Sequence, residues 1–434
     1  MVAAVPGTGA THPVPVLVSL CDAKMAKQGA FTISRPQRPA GQPQERHMPI
    51  LNRAAELQDE VAGWRRELHR MPELNFDLYR TSAFVAAKLG EFGCDEVVTG
   101  MAKTGIVAII RGRNGPGPTV GLRADMDALP IVEASGVAHA SETPGVMHAC
   151  GHDGHTAMLL GAAKYLAETR NFAGSVALIF QPAEEGGGGG NIMVQEGMME
   201  RFGIDKVFGM HNMPGLPVGQ FAIRPGPIMA ATAEFTITVK GKGGHAAMPH
   251  RTIDPIVIAS QLVGAFQTIV SRTTDPIESL VVTVTKFHAG DAYNIIPGEA
   301  EIAGTVRTLK KEVAAIARER IHAICAGIGA AHGAEIAVDY DANYPVTFNH
   351  ADETVIAADV AAAVAGDGRV NRAMPPVMGG EDFSYMLEAR PGAFIFVGNG
   401  DTANLHHPAY DFNDEALAHG MSYWIRLAET TLAA

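Results

Sequence analysis

Cysteine is scarce in this chain: four in 434 residues, Cys21, Cys94, Cys150 and Cys325, far apart and with no Cys-x-x-Cys pair. That excludes a dense disulfide framework and a cysteine-rich structural zinc site, and it suits a reducing compartment. Long apolar runs are missing as well, since no stretch reaches the ~18–20 residues that span a bilayer. Basic residues are outnumbered, 34 Lys and Arg against 46 Asp and Glu, and the net charge of −12 argues against a nucleic-acid backbone as the main partner. A nucleotide loop is absent too: the glycines at 186–190 are not followed by Lys-Ser or Lys-Thr, so they read as flexible backbone around a site. What is present is an apolar fraction of 47%, enough to exclude wholesale disorder. At roughly 100–200 residues per domain, the length favours two or three domains. The expectation is a soluble, cytoplasmic, multi-domain protein.

Residues 1–47 stand apart. They carry six Pro, four Gly and a net charge of +3, without a sustained helical or strand period. The apolar piece Val14–Cys21 is short, contains a Pro and has no basic residue before it, unlike a secretory signal. The segment reads as a disordered extension, with Met48 an alternative start and a transit peptide the competing reading.

From Leu51 onward helical apolar spacing appears, with a second helix near Thr81–Phe92. Strand-like runs then alternate with helices: GIVAII (105–110), TVGLRA (119–124), a helix from about Gly154, SVALIF (175–180) and KVFGMH (206–211). Continuous apolar strands separated by helices predict a mostly parallel sheet covered on both faces. Near Ile228 the rhythm changes. AEFTITVKG (233–241) alternates polar and apolar residues; a helix near 254–271, SLVVTVTKF (279–287), EIAGTVRT (301–308), a helix near 309–330 and AEIAVDY (334–340) follow. That β-α-β-β-α-β order is the ferredoxin-like pattern. After Tyr344 the first style returns, with a helix over 352–365, the strand AFIFVGNG (393–400) and a final helix from Asn413. The predicted fold class is α/β: a three-layer α/β/α domain over 48–228 and 342–434, interrupted by an α+β domain over 229–341.

Chemistry gathers after the predicted strand ends. Asp125 and Asp127 follow TVGLRA, Glu184 and Glu185 follow SVALIFQP, and His211 closes KVFGM. Cys150, His152, Asp153 and His155 precede a helix, and His406 and His407 follow the last strand. In open α/β sheets the carboxyl ends of strands line the ligand crevice. Cys-x-His at 150–152 can offer thiolate and imidazole to zinc, manganese, cobalt or nickel, although a buried Cys beside a helix-capping Asp153 fits the same letters. Neighbouring residues in an extended stretch point opposite ways, so one of Glu184 and Glu185 can hold metal while the other takes a proton. An exposed acidic pair is the bland alternative. Asp125 and Asp127 share a face and can orient a ligating histidine, with capping as the competing explanation. His148 and His155 read equally as supporting groups or as helix-start residues. In the inserted domain His245 follows a Gly pair, Asn294 lies in NIIPGE, and Arg307 offers a fork for a carboxylate, though each alone also reads as structural.

Eight segments together resemble a known family: LRADMDALPI, HACGHDGHTAMLLGAA, QPAEEGGGG, GMHNMPGLPVG, GKGGHAAMPH, NIIPGEAEIAGTVR, MGGEDFSYM and LHHPAYDFNDEAL. Their order is that of the dinuclear metallo-aminoacylase/carboxypeptidase family, in the branch of hippurate hydrolases and plant indole-acetyl-amino-acid amidohydrolases. The resemblance runs from about Met48 to the C-terminus. It implies a metal-bearing α/β domain with an inserted dimerisation (lid) domain, and a homodimer or homotetramer. By motif, Cys150, His152, Glu185, His211 and His407 resemble the ligands of two divalent ions, Mn, Zn, Co or Ni. Glu184 resembles the general acid/base, and Asp127, with Asp125, a group that orients the metal centre. His245 resembles an oxyanion-stabilising histidine that in relatives often reaches the partner subunit's site. Asn294, Arg307 and Gly380 resemble substrate contacts. The implied activity is hydrolysis of N-acyl-amino acids, small molecules. N-acetyl-diaminopimelate deacetylation, dipeptide or carboxypeptidase-type cleavage, and a silent metal-binding scaffold are the rivals.

Overall fold

The computed structural model describes residues 51–433, so the expected extension over 1–47 lies outside the described residues. Eight strands form the main sheet. In spatial order they are Glu96–Met101, Gly105–Arg111, Ser175–Gln181, Thr119–Asp125, Ile204–Pro214, Gly392–Gly400, Phe221–Ala222 and Val370–Asn371. The central four, from Ser175–Gln181 to Gly392–Gly400, run parallel. The segment GIVAII departs from the expectation: it pairs antiparallel with both neighbours. Residues 102–104 alone separate it from the preceding strand, and so short a connection can only reverse the chain.

Period-2 alternation explains the continuous apolar runs. Ile106, Ala108, Val176, Leu178 and Phe180 pack on one face with helices Asn52–Arg70, His152–Thr169, Ala351–Ala365 and Ala416–Thr431. Val107, Ile109, Ala177 and Ile179 pack on the other with Met193, Met198, Phe383 and Met386. Three layers result.

The inserted unit is a four-stranded antiparallel sheet in the order Leu280–Ala289, Glu299–Thr308, Ala231–Lys240, Glu335–Ala342. Helices Pro255–Thr268 and Lys311–His332 cover one face, and Phe235, Ile237 and Val239 face them. This is the ferredoxin-like arrangement. Asp254 caps the first of these helices by accepting from the N–H groups of Ile256 and Val257.

Helix Asn52–Arg70 is fixed by charge as well as by Leu57, Val61 and Leu68. Buried Arg65 lies 2.8 Å from Asp414, 3.0 Å from Asp411 and 3.6 Å from Asp153. His69 sits 2.8 Å from Asp153 and 3.2 Å from Glu133. Burial disfavours the charged form of His69, but Asp153 and Glu133 outweigh it and raise its pKa from 6.5 to about 9. Asp153 is the second residue of helix His152–Thr169, so the pair ties two helices together at the start of that helix. A raised folded-state pKa stabilises fully below the free value and loses its effect as pH climbs through the folded one. Stability against urea is therefore expected to fall between pH 6.5 and about 9, by an amount on the order of a few kcal/mol. His69→Gln should flatten that slope; an equal slope in both proteins would remove the pair as its cause.

Candidate metal centre

Three local backbone features aim the site residues. Gly151 adopts φ +89°, and a Cβ there would lie 2.3 Å from the Asn212 side chain. Only glycine turns the chain there directly from Cys150 into a helix whose first residue is His152. Ala183, at φ 55°, makes the turn after strand Ser175–Gln181 that presents Glu184 and Glu185. His406, at φ 62°, is pinned by its N–H donating to the Ala149 carbonyl at 2.7 Å. Left-handed backbone at non-glycine residues is strained and persists where its surroundings enforce it.

The side chains converge. Potential ligand atoms of Cys150, His152 and His211 lie within 4.8 Å of one another, as do those of Cys150, Glu185 and His406, and those of His152, Glu184 and Glu185. Cys150 Sγ is 3.4 Å from His211 Nε2. His211 Nδ1 donates to the Asn212 carbonyl at 2.7 Å, which leaves Nε2 with its lone pair facing the thiol. Both ring nitrogens of His152 are buried without a hydrogen-bond partner. Asp127 and Asp125 flank that ring, at 3.4 Å from Nδ1 and 3.7 Å from Nε2. Asp127 also accepts the N–H groups of Glu184 and Glu185, each at 3.0 Å, and so locks the glutamate pair to the histidine. His155 is fully engaged otherwise: Nδ1 meets Asp125 at 2.6 Å and Nε2 accepts from Asn212 N–H at 2.9 Å.

The structure places His406, not His407, against this cluster. His406 Nε2 lies 3.3 Å from Glu185 Oε1. The exposed His407 ring instead accepts the Ala409 N–H, at 3.0 Å, and joins none of the groupings around Cys150. Of the two rings, 406 and not the expected 407 stands at the cluster, because the left-handed turn at 406 rotates that ring inward and sends its neighbour outward.

Several participants were not singled out from sequence. Arg123, fully buried on strand Thr119–Asp125, meets Asp125 at 2.6 Å and Glu381 and Asp382 at 2.9 Å each. Gln181 and Gly190 N–H donate to Asp382 at 2.8 Å. The glycine run is correspondingly ordered: it opens helix Gly189–Gln195 rather than forming a loose loop. The signal for these groups was available, since one arginine in an otherwise apolar strand demands carboxylate partners and MGGEDFSYM supplies two.

Charge decides what the cluster can hold. Cys150, Asp125, Asp127, Glu184, Glu185, Glu381 and Asp382 crowd together, with Arg123 to offset them. Burial, then the charges of Glu381, Glu185 and Asp382, pushes the Glu184 carboxyl well above its ordinary range. Burial, Glu185 and Glu184 push the Cys150 thiol up likewise. Burial opposes a charged His152, but Asp125, Asp127 and Glu185 raise its pKa to about 10. Buried acids around a thiol and orphaned imidazole nitrogens form a donor set that fits divalent cations, whose charge would reverse these shifts.

A cleft of about 1040 Å³ opens over the cluster, lined by Cys150, Glu184, Glu185, His211, Glu381 and His406 below and by Thr232, Glu234, Arg307 and Asp341 of the ferredoxin-like unit above. Gly380 lines it too, and a Cβ there would approach Thr232 to 2.4 Å. His245 and Asn294 are not among its walls. They sit together on an exposed two-stranded ribbon, where the Ala246 N–H donates to the Asn294 carbonyl at 3.0 Å.

Comparison with known proteins agrees with this geometry. Residues 121–430 match the profile of peptidase family M20/M25/M40. The chain belongs to that family. Hippurate hydrolase from Campylobacter jejuni is 42% identical over 381 residues, covering 88% of this chain and 99% of the relative. An IAA-amino acid hydrolase from Arabidopsis thaliana is 39% identical over 380 residues, covering 85% of each. Among solved structures, a dinuclear metal-binding M20 peptidase from Bacillus subtilis aligns with a TM-score of 0.76 at 36% identity, over 87% of this chain and 99% of that one. As a member of this family the chain is a hydrolase with a divalent-metal centre.

His406→Ala is expected to lower bound metal per chain, measured by inductively coupled plasma mass spectrometry after reconstitution, and His407→Ala to leave it at the wild-type level. The opposite result would return the ligand to 407.

Proposed function

We propose that the protein is an amidohydrolase that cleaves N-acyl-amino acids, hippurate-like, N-acetyl or indole-acetyl, to a carboxylic acid and a free amino acid. The observation that carries this reading is a buried carboxyl, Glu184, held beside a cation-demanding cluster in an open cleft. Cys150, His152, Glu185, His211 and His406 would hold two divalent ions, manganese, zinc, cobalt or nickel. Such ions supply an acidified water and polarise the scissile carbonyl.

The chain's own residues do the rest. Glu184 takes the proton of the attacking water and returns it to the leaving amine. Its backbone is held by Asp127 from one side and by the Tyr344 hydroxyl, which donates to the Glu184 carbonyl at 2.5 Å, from another. Arg307, half-buried in the cleft, offers its guanidinium to the free carboxylate of the amino acid. Gly380 keeps room for substrate against Thr232.

His245 and Asn294 lie outside their own chain's cleft, which supports a homodimer in which each copy's ribbon completes the site of the other and His245 stabilises the oxyanion. The corresponding domain boundaries are 48–228 and 342–434 for catalysis and 229–341 for the insertion. Free Cys94, Cys150 and Cys325 support a reducing, cytoplasmic setting. A second reading, deacetylation of N-acetyl-diaminopimelate or dipeptide cleavage, is favoured by Glu234 and Asp341 on the cleft wall, which suit a substrate bearing an additional ammonium group.

Metal-loaded protein assayed with hippurate, N-acetyl-methionine, indole-acetyl-alanine and N-acetyl-diaminopimelate separates these readings, and release from none of them would leave a metal-binding scaffold. Glu184→Ala should retain its metal yet lose kcat by orders of magnitude; near-normal rates with metal intact would remove Glu184 as the base. Equal mixtures of inactive Glu184→Ala and His245→Ala chains should recover about a quarter of wild-type activity if copies share sites randomly. An inactive mixture would remove the sharing of sites between copies, and an active His245→Ala chain would place His245 outside the reaction.

A further inference from the structure

Behind the acid-lined cleft lies a second one, of about 1090 Å³. The two are back to back: Thr232, Ala342, Asn343, Tyr344 and Tyr385 line both. Four of these five belong to the two chain segments that join the ferredoxin-like unit to the α/β layers, and those segments are bonded to each other. Thr232 N–H donates to the Tyr344 carbonyl at 2.9 Å, Asn343 N–H to the Thr232 carbonyl at 3.0 Å, and Tyr344 N–H to Thr232 Oγ1 at 3.1 Å. The Tyr385 hydroxyl donates to the Asn343 carbonyl, and the Tyr344 hydroxyl to the carbonyl of Glu184. A hydrogen-bonded chain therefore runs from the rear cleft to the backbone of the proposed base.

The rear cleft is chemically two-sided. Val306, Leu309, Val346, Phe348 and Leu387 give it an apolar wall, and Phe348 stands 50% exposed on it. Lys311 and Arg318, on helix Lys311–His332, add positive charge, and Arg318 lies over the Tyr340 ring at 5.7 Å. That helix starts here with no side chain capping its first N–H groups. Independently, Ser384 lines the same cavity with a fully buried Oγ that has no hydrogen-bond partner. Buried hydroxyls are ordinarily satisfied, so this one lacks a partner that such groups normally find. Exposed Glu312 and Glu388 also line the cleft and repel a polyanion.

We propose that this rear cleft binds an amphipathic monocarboxylate, an acyl or aryl acid with its body on the apolar wall and its carboxylate among Lys311, Arg318 and the helix-start amides, and that its occupancy alters turnover through Tyr344. The site stands on its own geometry. Its link to the reaction, whose released acid has this chemistry, rests on the amide-hydrolysis reading above.

Octanoate and benzoate are the probes, titrated by calorimetry into the metal-loaded full chain. Ala315, exposed on helix Lys311–His332, lines the rear cleft and not the front one, so Ala315→Trp fills the cavity from a surface position. Binding is expected to weaken by about tenfold or more in Ala315→Trp and Arg318→Gln, an increment a lost charge pair or filled cavity readily gives. Arg307→Ala, altered in the front cleft, should keep it, with circular dichroism unchanged in all three. Undiminished binding in Ala315→Trp, loss in Arg307→Ala alone, or no heat from either acid at millimolar concentration overturns the site. Saturating octanoate should change wild-type kcat at least twofold and leave Ala315→Trp unaffected; an unchanged wild-type kcat overturns the coupling. Because calorimetry needs no substrate, the site is decided even if no N-acyl-amino acid is turned over.

Discussion

Buried negative charge is the constraint around which this molecule is arranged. Four parallel strands end at one edge of the sheet; two of them deliver Asp125, Asp127, Glu184 and Glu185 there, and the segment before helix Phe383–Ala389 adds Glu381 and Asp382, most of them buried at the floor of the cleft. Arg123 meets three of them directly, yet Glu184, Glu185, Asp127 and the Cys150 thiol lie beyond its reach. Left alone, such a cluster pushes some of its members towards their neutral forms, as the raised Glu184 and Glu381 carboxyls show, the latter to about 8, while Asp125 beside His152 and Arg123 is held low. Divalent cations would restore the charged forms, and the same cations can polarise an amide carbonyl and acidify the water that attacks it. The burial that makes the cluster costly also makes it useful.

Precision at the cluster comes from backbone rather than from side-chain reach. Gly151, Ala183 and His406 all take left-handed conformations within a residue or two of a site group. Two of the three are set by long-range contacts: Gly151 against Asn212 and Tyr410, and His406 through the Ala149 carbonyl. The Asp127 carboxylate, gripping two successive N–H groups, acts in the same way on the glutamates. Removing a ligand therefore changes one donor, whereas removing one of these supports shifts several.

The two chain segments that join the ferredoxin-like unit to the α/β layers also separate two clefts. Tyr344 and Tyr385 stand between a front cleft lined by acids and a rear cleft lined by aliphatic groups, and their hydroxyls bond to backbone on either side. Relatives named for hippurate and for IAA conjugates match this chain almost equally, at 42% and 39% identity, so overall identity does not choose between those two substrate classes.

Much of this was legible in the letters of the chain. Apolar runs that serve two covered faces, and the alternation that serves one, separated the parallel-sheet layers from the ferredoxin-like insertion, because side-chain periodicity reports burial directly. The placement of Asp125, Glu184, Glu185 and His211 after strands pointed to one edge, since every parallel strand ends on the same side. Three-dimensional closure alone decided the remainder. Letters do not encode which of His406 and His407 turns inward; a backbone φ and one hydrogen bond to Ala149 do. Nor do they show that the antiparallel GIVAII strand follows a tight reversal, that Arg123 reaches across to Glu381 and Asp382 some 258 residues away, or that His245 and Asn294 stand outside the walls of their own cleft. Local sequence carries periodicity and motif; contacts between distant segments depend on how the layers pack, and packing is a property of the whole chain.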